Sequence, residues 1–241
     1  MTTATDWRTR ATALSEALNL NSPPIAITFC AEPLPDVPAF DKPMPPPLPD
    51  GRTGRVPAGC VFWIEAATKT FSTLPEDHGN CSVGSLTHGL IPLSEAATRG
   101  DVAELVAAGW VTEDMFPQIP AVSERPAAIA YGPLGDSPAD PDVVLLRLNA
   151  KQLMVLSDAM PGLRIEGKPQ CHIVAVAKEQ GEIAASVGCA LSRARTGMPA
   201  TEMTCAIPSA QVEMVIDRVQ QTARADASVA GYAASDAQRF R

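Results

Sequence analysis

The sequence is poor in aromatic residues and has no basic stretch. Phe, Trp and Tyr make up 5% of its 241 residues, so a core has to come from the Ala, Val, Leu and Ile within its 46% hydrophobic fraction. No run of Lys or Arg occurs, and the net charge is −8. Phosphate backbones need a basic face, so nucleic acid is not expected as a partner. No apolar run approaches the roughly 18–20 residues that a bilayer-crossing helix needs, so no membrane partner is expected either. The opening MTTATDWRTRATALSEAL lacks the charged-then-apolar order of a secretory leader. These absences together predict a soluble, cytoplasmic protein.

Short chemical motifs are missing as well. There is no G-x-G-x-x-G, no Walker A loop and no G-x-S-x-G elbow. Nor is there a C-x-x-C or an H-E-x-x-H, which removes the simplest thioredoxin, zinc-finger and zincin readings. What the chain does have is six cysteines. In a reducing compartment, spaced cysteines mean metal, catalysis or core packing rather than a disulfide scaffold.

The apolar pattern predicts alternating elements. Trp7, Ala11, Leu14 and Leu18 recur at helical spacing over residues 4–19. PPIAITF then reads as a buried strand ending at Cys30. Residues 31–58 form a proline-rich loop, with Pro33, Pro35, Pro38, Pro43, Pro45, Pro46, Pro47 and Pro49, and are either an arm over a site or a stiff solvated excursion. VFWIEAATK predicts a helix over 61–69 with Cys60 at its start, where the dipole would lower the thiol's pKa. Within it, Glu65 and Lys69 are spaced as an i,i+4 pair. PEDHGNC is turn-rich, and SVGSLTHGL is a small-residue segment. Residues 94–108 predict one helix, weakened at Gly100. AAIAYGPL and PDVVLLRL predict strands, and Asn149 caps a helix after the second. CHIVAV, from Cys171 to Val176, and TEMTCAIP predict two more strands. A helix follows from Ser209 to Ala223. Residues 225–241 read as a frayed helical tail or disorder. The predicted fold is α/β or α+β: a mixed sheet flanked by helices in one domain over 1–224. Halves over 1–120 and 121–224 are an option, since Cys60/Cys81 and Cys171/Cys189 hint at duplication.

Two stretches concentrate the chemistry. Gly59 to Leu90 holds Cys60, Cys81, His78 and His88, and Cys171 to Arg195 holds Cys171, His172 and Cys189. They are expected to meet in one site. The order of PPIAITF, Cys60, HGNCSVGSLTHGL, YGPL, DVVLLRLNAKQLMVL, Cys171, VGCALSRAR and Glu202 with IPSAQVEMV resembles the DUF169 family over roughly residues 12–220. That family comprises prokaryotic proteins of largely uncharacterised function. The proline-rich insertion before Cys60 departs from its pattern.

The resemblance implies the same four thiols, Cys60, Cys81, Cys171 and Cys189, and leaves Cys30 and Cys205 as core residues. Separations of 21, 90 and 18 positions suit an iron–sulfur cluster better than structural zinc, which uses closely spaced pairs. The expected cofactor is therefore an iron–sulfur cluster, [4Fe–4S]. The expected activity is redox or Lewis-acid lyase or hydratase chemistry on a small, anionic metabolite, with His78 and Arg193 near the substrate. Arg193 has a plainer alternative, a surface salt bridge with Glu202. His172, opposite Cys171 on a strand, would not share its site. An electron-transfer partner and a homo-oligomer are further expectations. Two other functions stay open: a non-enzymatic small-molecule-binding or accessory protein with core cysteines, and a cysteine nucleophile at Cys60 or Cys81 activated by His78.

Overall fold

Successive residues of the central strands face opposite sides of a sheet, and both sides are buried. The computed structural model describes residues 6–42, 46, 49–167 and 169–240. Its elements in order are α1 (Trp7–Leu18), β1 (Ile25–Cys30), α2 (Val61–Glu65), β2 (Phe71–Thr73), α3 (Ser82–Thr87), α4 (Leu93–Ala96), α5 (Gly100–Ala107), β3 (Ala128–Pro133) and β4 (Val143–Leu148). They continue with α6 (Ala150–Ala159), β5 (Arg164–Glu166), α7 (His172–Ala175), β6 (Ala184–Ser186), α8 (Ala190–Thr196), β7 (Met203–Pro208) and α9 (Val212–Ala237). The seven strands form one mixed sheet in the order β2-β3-β1-β4-β7-β6-β5. Every pairing is antiparallel except β5 with β6. The fold is α/β.

The period of two divides the core into two layers. Ile25, Ile27, Val143, Leu145, Ala184 and Ala206 join one cluster, and Ala26, Val144, Leu146, Ala185, Cys205 and Ile207 join the other. The second layer is covered by long helices. Val212, Val215, Ile216 and Val219 of α9 are buried at i, i+3, i+4 and i+7, and α9 packs against α1 and α6. Asn149 caps α6 through a reciprocal capping box with Gln152. The first layer is covered by the short helices α2, α3, α7 and α8, and these carry the candidate cysteines. The two options for halves share this sheet, since β1 lies between β3 and β4.

Several elements differ from the sequence expectation. CHIVAV is not a strand: residues 172–175 are helical, and Val176–Gln180 widens into a π-type turn that Gly181 ends in the left-handed region. A short, wholly buried apolar run has no periodicity to separate helix from strand. SVGSLT is a helix, fully buried along its length. The single helix expected over 94–108 is two, because Arg99 is extended and α5 restarts at Gly100. The tail is helical to Ala237.

The proline-rich loop is an arm laid on the sheet edge. Ser72 N–H donates to Pro38 O at 2.8 Å, and Phe40 N–H donates to Ser72 O at 2.7 Å. This bonding seats Phe40 against Phe62 and Phe71 in the core. Pro43, Pro45 and Pro47 lie outside the described residues. Among the described residues, no helix is long and apolar enough to cross a membrane.

Candidate functional site

Four of the six cysteines line one cavity of about 30 Å³: Cys60, Cys81, Cys171 and Cys189. By the same kind of measure about 10–15 Å³ holds one water, so the space is small but real. Each thiol comes from a different segment, and each sits at the N-cap of a short helix: Cys60 before α2, Cys81 before α3, Cys171 before α7 and Cys189 before α8. Four helix N-termini thus approach one point, and their unpaired N–H groups favour negative charge there. Gly84 N–H donates to Cys81 Sγ at 3.4 Å. A Cβ on Gly84 would stand 3.3 Å from that sulfur, so the glycine keeps the approach open.

Cys30 and Cys205 are elsewhere. Cys205 is fully buried under the long helices, and Cys30 packs with Ala128 and Ala130.

Burial outweighs the helix termini. Desolvation first, and Cys81 and Cys189 after it, push the Cys60 thiol up to about 12 against the pull of the Ser192 hydroxyl. Cys171 is raised well above the ordinary thiol value by burial and by Cys81, Cys189 and Cys60, while Thr87 opposes the rise. Burial also raises Cys81, although the Gly84 N–H and Arg195 pull it down. The expectation of a lowered Cys60 pKa is therefore overturned: α2 has five residues and cannot compensate removal from water. Thiols that line one cavity repel one another once ionised, and a cationic occupant would relieve that repulsion. The same burial works against a free thiolate nucleophile.

His78 and His88 both line this cavity. Thr73 donates its hydroxyl to Ile129 O at 3.2 Å and so accepts from His78 Nε2 at 2.9 Å. The proton of His78 is thereby fixed on Nε2, and Nδ1 keeps its lone pair towards Gly59, whose Cβ would lie 3.1 Å away. His88 has the opposite tautomer. Its Nδ1 lies 2.9 Å from Gly84 O, a carbonyl that can only accept, so Nε2 carries the lone pair and has no partner. Burial holds His88 down to about 4 and His78 well below the usual imidazole value, so both are neutral near pH 7. Trp63 Nε1 and Gln170 Oε1, on the same lining, are also buried without partners. Sequence reasoning missed Trp63, Thr87, Gln170 and Ser192. Trp63, Gln170 and Ser192 lie within three residues of Cys60, Cys171 and Cys189 but are not metal-ligating types, and only folding brings Thr87 to Cys171.

One expected participant, Arg193, is elsewhere. Arg193 donates to Val187 O and Glu202 O at 2.9 Å each and to Pro199 O at 3.4 Å, bracketing three backbone carbonyls over Gly188. It is not on the cavity lining. Nor does it pair with the Glu202 carboxylate, which binds Arg147 bidentately at 2.9 and 2.7 Å. The cation that reaches the thiols is Arg195, through its pull on Cys81. His172 does point away from the cysteine site, as expected, but from a helix rather than a strand. It lines the neighbouring cavity while Cys171 lines this one.

The arm completes the enclosure. Ala58 and Gly59 line the cavity. Just before them, Asn80 holds the arm by accepting from Gly54 N–H at 3.0 Å and donating to Val56 O at 2.8 Å. Asp101, buried, receives Ser82 N–H at 3.1 Å and the Ser82 hydroxyl at 2.6 Å, which fixes the start of α3 beside Cys81.

The sequence model of the family DUF169, described as "Uncharacterised ArCR", matches residues 13–218. No curated protein and no solved structure matches the chain.

Proposed function

The chain belongs to the DUF169 family, and from that premise and the cavity we propose an iron–sulfur protein that holds a [4Fe–4S] cluster through Cys60, Cys81, Cys171 and Cys189 and acts as an enzyme on a small molecule. One observation carries this reading: four thiols from four segments, and neither of the remaining two, line a single enclosed cavity.

The donor set suits the group. Thiolates are the ligands of iron–sulfur centres, and the cavity wall offers no carboxylate to compete. Held by all four thiolates, such a cluster would supply single electrons; a Lewis-acid role would need one of the four cysteines off its iron. The protein's own part is electrostatic and steric. Arg195 and four helix N-termini offset thiolate charge, and Trp63, buried on the lining, excludes water. His88 Nε2 offers a lone pair that can accept a hydrogen bond or a proton from a bound molecule.

A non-enzymatic binding or accessory protein with core cysteines is the second reading, and one observation favours it. Among the described residues, no three His, Cys, Asp or Glu side chains are grouped to hold a metal ion. A cluster carries iron and sulfide between its ligands, so its thiolates ring a cavity rather than meet at a point. Metal analysis separates the readings. Protein prepared without oxygen should contain about four irons and four sulfides per chain and absorb visible light. Serine at any one of the four positions should lower iron, while Cys30→Ser and Cys205→Ala should leave it unchanged. Iron-free protein that also fails to take up iron and sulfide in vitro overturns the cluster.

A further inference from the structure

A second cavity, of about 430 Å³, lies beside the first and is unassigned. Val83 and Pro169 line both. Consecutive residues divide between them, with Cys171 on one lining and His172 on the other. Its size falls in the range of small-molecule sites, and such sites are mostly apolar with a few placed polar groups. This one follows that form. Leu86, Val102, Leu105, Trp110 and Phe116 make its body. Arg164, Glu166 and His172 make one polar end.

That end offers one open hydrogen-bonding atom. Glu166 gives one carboxylate oxygen to Arg164 Nε and places the other 3.8 Å from His172 Nδ1, an approach too long for a hydrogen bond that leaves either neutral tautomer open. His172 Nε2 is buried and has no partner, so it can accept or donate one hydrogen bond. Arg164 is already engaged by Glu166, by Gln180 Oε1 at 2.7 Å and by Glu182 Oε2 at 3.2 Å. On the lining Glu166 pairs with Arg164, so among the described lining residues neither an anionic nor a cationic head finds an uncommitted counter-charge. A hydroxyl suits both conditions: it can donate to Nε2 or accept from it, and it carries no charge.

We infer that this chamber binds a molecule with an apolar body and a single neutral hydroxyl head, the head on His172 Nε2. That this molecule is the substrate rests on the cluster reading, because it would lie against the wall shared with the cysteine site. Its binding does not. The inference replaces the anionic metabolite expected from sequence with an uncharged amphiphile.

The test uses full-length protein, prepared without oxygen, and the fluorescent apolar probe N-phenyl-1-naphthylamine. The probe should bind with enhanced fluorescence at one site per chain. 1-Decanol should displace it at least tenfold more effectively than decanoate or decylammonium. Ala97→Trp, at an exposed position on the cavity wall, should abolish probe binding with iron content and circular dichroism unchanged. Ile119→Trp, on the same wall, should do the same if the first variant fails to fold. His172→Leu should retain the probe and lose the preference for decanol over decanoate. Absence of probe binding, binding indifferent to both tryptophans, or equal displacement by all three competitors overturns the chamber. Iron without probe binding sinks the chamber alone, and probe binding without iron sinks the cluster alone.

Discussion

Single residues here change meaning with what surrounds them. Arg193 illustrates this best. Its place four residues after Cys189 suggested a substrate anchor, yet its fork is bonded to three carbonyls. Arg193→Ala should therefore cost about 1–3 kcal/mol of stability, the scale of lost charge-assisted bonds to backbone, while the iron content of the folded fraction stays at the wild-type level. Urea unfolding followed by circular dichroism, beside iron analysis, checks this. Arg193→Lys should recover only part of the loss, because an ammonium lacks the planar fork. His88 makes the complementary case. Its ring is neutral in the fold because burial holds it down to about 4. A group lowered on folding contributes stability that is complete above its unfolded value of about 6.5 and lost as pH falls towards 4. His88→Asn keeps a donor for Gly84 O and removes the titration. The drop in urea midpoint between pH 7 and pH 5 should be smaller in this variant than in the wild type; an equal drop contradicts the buried neutral imidazole.

At the level of elements, the site depends on short helices and an arm that have little structure of their own. The helices carrying the cysteines have five, six, four and seven residues, too short to stand alone in water. Packing on one face of the sheet holds them. The arm is held by a close backbone approach: a Cβ on Gly54 would come within 2.6 Å of the backbone nitrogens of Gly79 and Asn80. Neither nitrogen is the end of a flexible side chain, so one backbone must move. Gly54→Ala should cost about 1–3 kcal/mol, as overpacking does, and should loosen the arm. Limited digestion with trypsin should then cut after Arg52 or Arg55 faster than in the wild type, and an unchanged cutting rate would show that the arm does not depend on this contact. The chain's sequence announced the arm only as a choice between a docked and a solvated loop, because prolines forbid helix without saying what the segment touches.

For the molecule as a whole, the buried titrating groups set a pH window. His78, His88 and His172 are all lowered by burial, so stability declines as pH falls below about 6.5. Cys60, Cys81 and Cys171 are raised by burial. A raised group contributes fully below its unfolded value, about 8.5 for a thiol, and loses that contribution as pH rises through the folded value. The alkaline limit depends on what the thiols hold. Cluster-free protein should lose melting temperature steadily above pH about 9, whereas cluster-loaded protein, whose ligands are already thiolates, should not share that slope. Thermal melts of both forms from pH 5 to 10.5 measure this directly. Parallel alkaline limbs would mean that the cavity thiols are not the ligands.

Much of the architecture was legible locally. The short apolar, β-branched runs of β1 and β4, the Asn149 cap and the helical period of α9 are local signals, and no distant contact is needed to read them. The six cysteines and their family order were legible too. CHIVAV and SVGSLT were not, because a segment buried on every side carries no period, and the sheet face they cover chose helix for both. The sequence by itself determined a mixed sheet flanked by helices, α/β or α+β, with widely separated thiols. Only the tertiary structure brought four of those thiols to one cavity and set Arg193 aside on three carbonyls. It alone turned Cys171 and His172 into adjoining walls of two chambers, since helix N-termini meet in space according to sheet order and not according to distance along the chain.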